Sequence, residues 1–152
     1  MNNNITNLKD AVENTPALNG CFKDGNGAMT EQYKRKVSFS KPRLVAGSID
    51  IDTSMKRMFP GDNRWDYAIE YNGEMHYIEV HRADIHKGYQ DVVNKLKWLQ
   101  HWLQDDATCI NNLPHPKRYH WVSTGEVAQE KILYGSTQSK KRLLTAKKHL
   151  SL

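Results

Sequence analysis

At 152 residues, with 38 % hydrophobic and 26 % charged content, the chain is long enough for one domain with a real core, and wholesale disorder is excluded. Net charge is +5, but Lys140, Lys141, Arg142, Lys147 and Lys148 all follow Tyr134 in a stretch without acids, so the body is neutral and the end is basic. No apolar run approaches membrane length and the Asn-rich start lacks a signal-type hydrophobic region, so a cytoplasmic location without a membrane partner is expected; Cys21 and Cys109 are too few and too far apart for a disulfide framework or metal knuckle, and read as packing residues.

Ile5, Leu8 and Val12 form a short helical stripe ended by Pro16, and a Gly-rich loop follows from Gly20 to Gly27. Thr30 is placed to cap a helix carrying Glu31, Tyr33 and Val37, with Lys34, Arg35 and Lys36 on its outer face and Pro42 beyond its end. Residues 44–51 read as a strand with Ile49 and Ile51 on one face and Ser48, Asp50 and Asp52 on the other. A polar loop over residues 53–64 then leads into the most informative stretch of the chain.

That stretch is a predicted hairpin. Asn72-Gly73 is a strong signal for a two-residue type I′ turn, because both central residues need positive φ. Tyr71 and Glu74 then close the turn, Ala68 faces Tyr77, and Asp66 faces Glu79. Opposed Cβ atoms lie roughly 4.5–5.5 Å apart, so the two acids repel unless one is protonated or a cation sits between them. A divalent metal would relieve the repulsion. Alternation puts Ala68, Glu70, Met75, Tyr77, Glu79 and His81 on the face of Asp66, and Trp65, Tyr67, Ile69, Ile78 and Val80 on an opposite face that reads as core.

Val92, Leu96, Leu99 and Leu103 recur at helical spacing, predicting an amphipathic helix of about four turns. Pro114 and Pro116 break the chain, residues 119–123 read as a strand, and residues 126–133 as another helix. The expected organisation is an N-terminal helix and Gly-rich loop (1–28), an α/β core (29–133) and a basic C-terminal tail (134–152). Strands followed by a helical crossover to a further strand predict an α/β single domain, a mixed central sheet flanked by helices.

An acid on one hairpin strand, Glu-X-Lys on the next, a long helix and a further strand is the pattern of the PD-(D/E)XK nuclease superfamily, and this sequence resembles it from about residue 30 to 123. Asp66 matches the first acid and Ile78-Glu79-Val80-His81 the segment around Glu-X-Lys. Two departures stand out: His81 occupies the lysine position, and no proline precedes Asp66 in Asn63-Arg64-Trp65-Asp66. The resemblance implies a restriction-endonuclease-like fold and a metal-dependent nuclease acting on DNA or RNA. It implies Mg²⁺ or Mn²⁺ held by Asp66, Glu79 and the Val80 carbonyl, with Asp66, Glu79 and His81 as catalytic residues. In that family the lysine positions or activates the attacking water; here His81 takes part of that role, or Lys87, Lys95 or Lys97 reaches in from the following helix. Glu31, Asp50 and Asp52 are further acids that can approach the site.

Other readings remain. A nuclease-like fold without catalysis would serve as a nucleic-acid-binding or protein-interaction module, with contacts carried by the basic tail. The pairs His81-His86 and His115-His120 lack zinc-finger spacing, so a Zn²⁺ hydrolase would need ligands gathered by the fold. Trp98, Trp102 and Trp121 read first as core and second as base-stacking residues. A homodimer would suit cleavage of both strands of a duplex.

Overall fold

The stripe of Leu8, Ala11 and Val12 forms the buried side of a short helix, α1 (Leu8–Glu13), opened by Asn7, whose side chain accepts the Asp10 N–H. The computed structural model describes residues 4–83, 87–125, 131–134 and 142–152. Beyond α1 come β1 (Lys23–Asp24), α2 (Glu31–Lys34), β2 (Val37–Ser38), β3 (Val45–Asp50) and α3 (Ile51–Met55). The hairpin strands β4 (Tyr67–Tyr71) and β5 (Glu74–Val80) precede α4 (Lys87–Asp105) and α5 (Thr108–Asn111). The chain continues through β6 (Lys117–Val122), β7 (Lys131–Tyr134), β8 (Arg142–Lys147) and β9 (Leu150–Ser151).

Seven strands make one sheet in the order β1-β3-β4-β5-β6-β8-β7. The left half is antiparallel from β1 to β5, β5–β6 and β6–β8 are parallel, and β7 runs antiparallel to β8. The fold is therefore mixed α/β, with α4 in the connection between the parallel neighbours β5 and β6, as such a crossover requires. β2 and β9 form a separate parallel pair.

Both faces of the sheet are buried. Leu8 and Val12 of α1 and Val92, Leu96, Leu99 and Leu103 of α4 pack with Ile49, Ala68, Met75, Tyr77 and Trp121 from one face. Tyr67, Ile69, Ile78, Val80 and Val122 pack with Val37 and Leu150 on the other. Alternation along the hairpin predicts core on the second face alone. Ala68, Met75 and Tyr77 instead lie in the larger core, because α4 covers the acid-bearing face.

Three local expectations also change. Val37 leaves the expected helix and pairs with Leu150 in the small sheet. Ile51 begins α3 rather than ending the strand, because the Asp50 carboxylate caps the turn, accepting the Thr53 N–H at 2.9 Å and its hydroxyl at 3.0 Å. Lys131–Tyr134 is a strand and not part of a helix, since it finds a ladder on β8 from Lys131↔Thr145 to Tyr134↔Arg142; residues 126–130 of that expected helix lie outside the described residues. From the segment expected as a basic tail, Arg142–Lys147 enters the sheet between β6 and β7. No helix among the described residues is long and apolar enough to cross a membrane.

Candidate active site

The Asn72-Gly73 turn sets the register of the site. Both residues have positive φ, 50° and 74°, and pairing runs from Tyr71↔Glu74 through Ala68↔Tyr77 to Tyr67↔Ile78. One step beyond the end of β4, side chains take over the ladder. The Asp66 N–H donates to Glu79 Oε2 at 3.0 Å, and the Val80 N–H donates to Asp66 Oδ2 at 2.9 Å. Each acid thus spends one oxygen on the other strand's backbone. The opposed pair predicted from the turn is present in the fold.

The remaining oxygens face a cation from α4. Lys95 Nζ donates to Glu79 Oε1 and lies 3.7 Å from Asp66 Oδ1. Glu79 is fully buried, and the Asp66 and Lys95 side chains are each 17 % exposed. Burial and the neighbouring Asp66 charge push the Glu79 carboxyl well above the usual range, against the opposing pull of Lys95. Burial likewise raises Asp66, with Lys95 and the Val80 N–H opposing. Burial also works against the Lys95 ammonium, but the two carboxylates outweigh it and hold the amine above its ordinary value. One buried ammonium is shared by two carboxyl groups.

His81 stands at the edge of this group. Its Nδ1 lies 3.8 Å from Glu79 Oε1 and its Nε2 lies 3.3 Å from Asp91 Oδ2. Burial and the Lys95 charge depress its pKa, while Asp91 opposes them. The Trp121 indole N–H donates to the His81 carbonyl at 3.0 Å, tying the residue to β6. Val80 enters the site through its N–H.

The other sequence candidates divide. Asp52 binds Arg64 Nε at 3.0 Å, and its charge acts on both Asp66 and Lys95. Asp50 is occupied as the cap of α3, although its charge also reaches Asp66. Glu31 is exposed and pairs with Lys34 at 2.9 Å, apart from the acids. Of the three candidate helix lysines, Lys95 makes the contact, Lys97 is exposed, and the Lys87 side chain lies outside the described residues. Trp102 and Trp121 are core, at 3 % and 1 % exposure, and Trp98 stacks on Trp102 while donating to Asp62 at 3.1 Å.

Asp91 is the site residue that sequence reasoning misses. Its signal is present: Asp91 and Lys95 are four apart on α4, hence on one face, flanking the apolar stripe. Without the fold, nothing tells which flank meets the hairpin.

Two carboxylate oxygens turned toward one cation suit Mg²⁺ or Mn²⁺, since Mg²⁺ is commonly held by one or two carboxylates and completes its shell with water and phosphate oxygens. Among the described residues no three His, Cys, Asp or Glu side chains converge in a group that could hold a metal ion of any kind, and zinc sites take three or four protein ligands. His115 goes to Glu70 at 2.7 Å and His120 to His76 at 2.8 Å, so the second spaced pair does not converge; His86 of the first lies outside the described residues. Comparison with protein-family models, with curated proteins and with solved structures returns no match for this chain.

Proposed function

We propose that the protein is a metal-dependent nuclease that hydrolyses phosphodiester bonds in DNA or RNA, on a restriction-endonuclease-like scaffold. The observation that carries this reading is the inward pair Asp66 Oδ1 and Glu79 Oε1, both turned to the Lys95 ammonium. The sequence pattern resembling PD-(D/E)XK nucleases, carried by the same two acids, is consistent with it, and Lys95 of α4 would stand in for the lysine that His81 replaces.

A bound divalent ion would supply water activation and neutralise charge growing on the phosphate. Asp66 and Glu79 would hold it, with Val80 backing Asp66 through its N–H. Lys95, held beside both acids, would offer its charge to a phosphoryl oxygen of the substrate. His81, kept neutral by its surroundings and oriented by Asp91, can take or return a proton at the reacting oxygens. Arg64 holds Asp52 and the loop carbonyl of Phe59, fixing the wall beside the acids.

The test is cleavage of single- and double-stranded DNA and RNA with Mg²⁺ or Mn²⁺, comparing wild type with folded Asp66→Ala and Glu79→Ala variants. Metal-dependent cleavage by wild type, lost in both variants, is expected. One observation favours a second reading, an inactive nuclease-like scaffold that binds nucleic acid or protein: the Lys95 ammonium already occupies the point to which both acids turn. Absence of cleavage on every substrate, together with absence of Mn²⁺ binding, selects that reading.

A further inference from the structure

At the end of the sheet that carries the acids, a cleft of about 380 Å³ lies between the Gly-rich segment and α3, lined by Cys21, Lys23, Ala28, Asp50, Thr53 and Ser54. Its volume falls in the range of small-ligand sites, roughly 300–1,000 Å³. Both walls are pinned. On one side β1 pairs with β3 through Lys23↔Ser48, and the Ala28 N–H donates to Ser48 Oγ at 3.0 Å. On the other, the Ile51 N–H at the start of α3 donates to the Asp66 carbonyl at 2.8 Å. The cleft is therefore coupled to the backbone of a candidate catalytic acid.

Its chemistry has two ends. Asp50, which lines the cleft, is fixed by Thr53 through both carboxylate oxygens and carries charge that reaches Asp66. A fixed carboxylate accepts hydrogen bonds from base amino or imino groups and sugar hydroxyls, and repels phosphate. Lys23 is exposed and brings an ammonium suited to a phosphate oxygen. Ser54 adds a hydroxyl to the lining.

We infer that this cleft receives the base and sugar of the nucleotide adjoining the scissile phosphate, with the next phosphate at Lys23, so that the preferred substrate is an unpaired strand. The inference rests on the nuclease reading and adds the substrate class. A base held in a duplex is stacked and paired, and enters a concave site only after both are broken. A single strand meets no such barrier.

The test separates binding from cleavage. A mixed-sequence pentanucleotide, as DNA and as RNA, is titrated in Ca²⁺ against wild type, Ser54→Trp and Ala28→Phe, which fill the cleft from opposite walls, and Lys23→Gln, an exposed change that spares the fold. Protein NMR shifts report the location of binding, and a 12-base-pair duplex is the comparison. Expected are shifts centred on residues 20–28 and 50–54 and at least tenfold tighter binding of the pentanucleotide than of the duplex. At least tenfold weakening is expected in each folded filled variant, and a several-fold loss with a shallower salt dependence in Lys23→Gln. Absence of binding, shifts elsewhere, equal binding by the folded variants, or preference for duplex overturns the inference. If both filled variants unfold, an unchanged Lys23→Gln overturns it. Specific pentanucleotide binding without cleavage in Mg²⁺ or Mn²⁺ removes the nuclease reading alone; cleavage unaffected by filling the cleft removes the subsite alone.

Discussion

Glu79 has no solvent exposure, faces Asp66 across the hairpin and shares Lys95 with it. Removing one partner of a buried ion group strands the rest in a medium that solvates them poorly, at a cost of about 3–5 kcal/mol. Lys95→Met is accordingly expected to lower unfolding free energy by about that amount, read by urea titration. If the pair holds a divalent ion, millimolar Mn²⁺ should raise the melting temperature of Lys95→Met more than that of wild type, since the competing ammonium is gone and ligand binding stabilises the folded state by mass action. A neutral result in both measurements would mean that Lys95 does not balance these acids. Asp66 and Glu79 are legible at this scale because the turn fixes index pairing. Asp91 is not, because its role depends on which way a helix flank faces after docking.

Among the elements, the hairpin and α4 make the site, and each has a glycine with a distinct task. Gly73 lies at φ 74° with open space where a Cβ would stand, no atom coming within 4 Å of that point, so its constraint is conformational. Gly73→Ala should cost about 1–2 kcal/mol, the penalty of a left-handed residue, and, on the proposed nuclease reading, leave cleavage by the folded fraction unchanged. Gly88 begins α4 against the Arg82 backbone, and a Cβ there would stand 2.4 Å from the Arg82 carbonyl oxygen. Gly88→Ala must push the helix start away, costing about 1–3 kcal/mol as overpacking does and moving the turns that carry Asp91 and Lys95. On the proposed nuclease reading, cleavage by the folded Gly88→Ala protein should fall at least tenfold; equal cleavage in the two variants would show that the α4 start does not set the position of Lys95. The sequence periodicity locates α4, but the strand identity of Lys131–Tyr134 is beyond it. Four residues cannot display a reliable period, and their state is decided by the ladder offered by Arg142–Lys147.

Across the whole molecule, a histidine pair outside the site gives acid sensitivity. His76 Nδ1 and His120 Nε2 lie 2.8 Å apart with rings stacked at 5.1 Å, a contact in which one shared proton suffices. Burial and the neighbouring His76, Lys147 and Arg118 depress His120 to about 3; burial also lowers His76, with Glu74 opposing. Between the unfolded value near 6.5 and about 3, the unfolded chain binds a proton that the folded protein refuses. Acidification through that window therefore favours unfolding, with a slope of at most about 1.4 kcal/mol per pH unit for each such proton. The loss is absent above the unfolded value and levels off below the folded one. His120→Gln should flatten this part of the stability profile relative to wild type, as measured by denaturant titrations from pH 7 to pH 4; parallel profiles would remove His120 as the cause. By itself the sequence determined the hairpin, its register, the confrontation of Asp66 with Glu79 and the existence of α4, because turn chemistry and apolar period are local properties. Only the tertiary structure decided that both sheet faces are buried, that Lys95 supplies the cation, that Asp91 meets His81 and that Arg142–Lys147 joins the sheet. Each of those depends on segments distant in sequence meeting across the core, and burial there sets the strength of every charge involved.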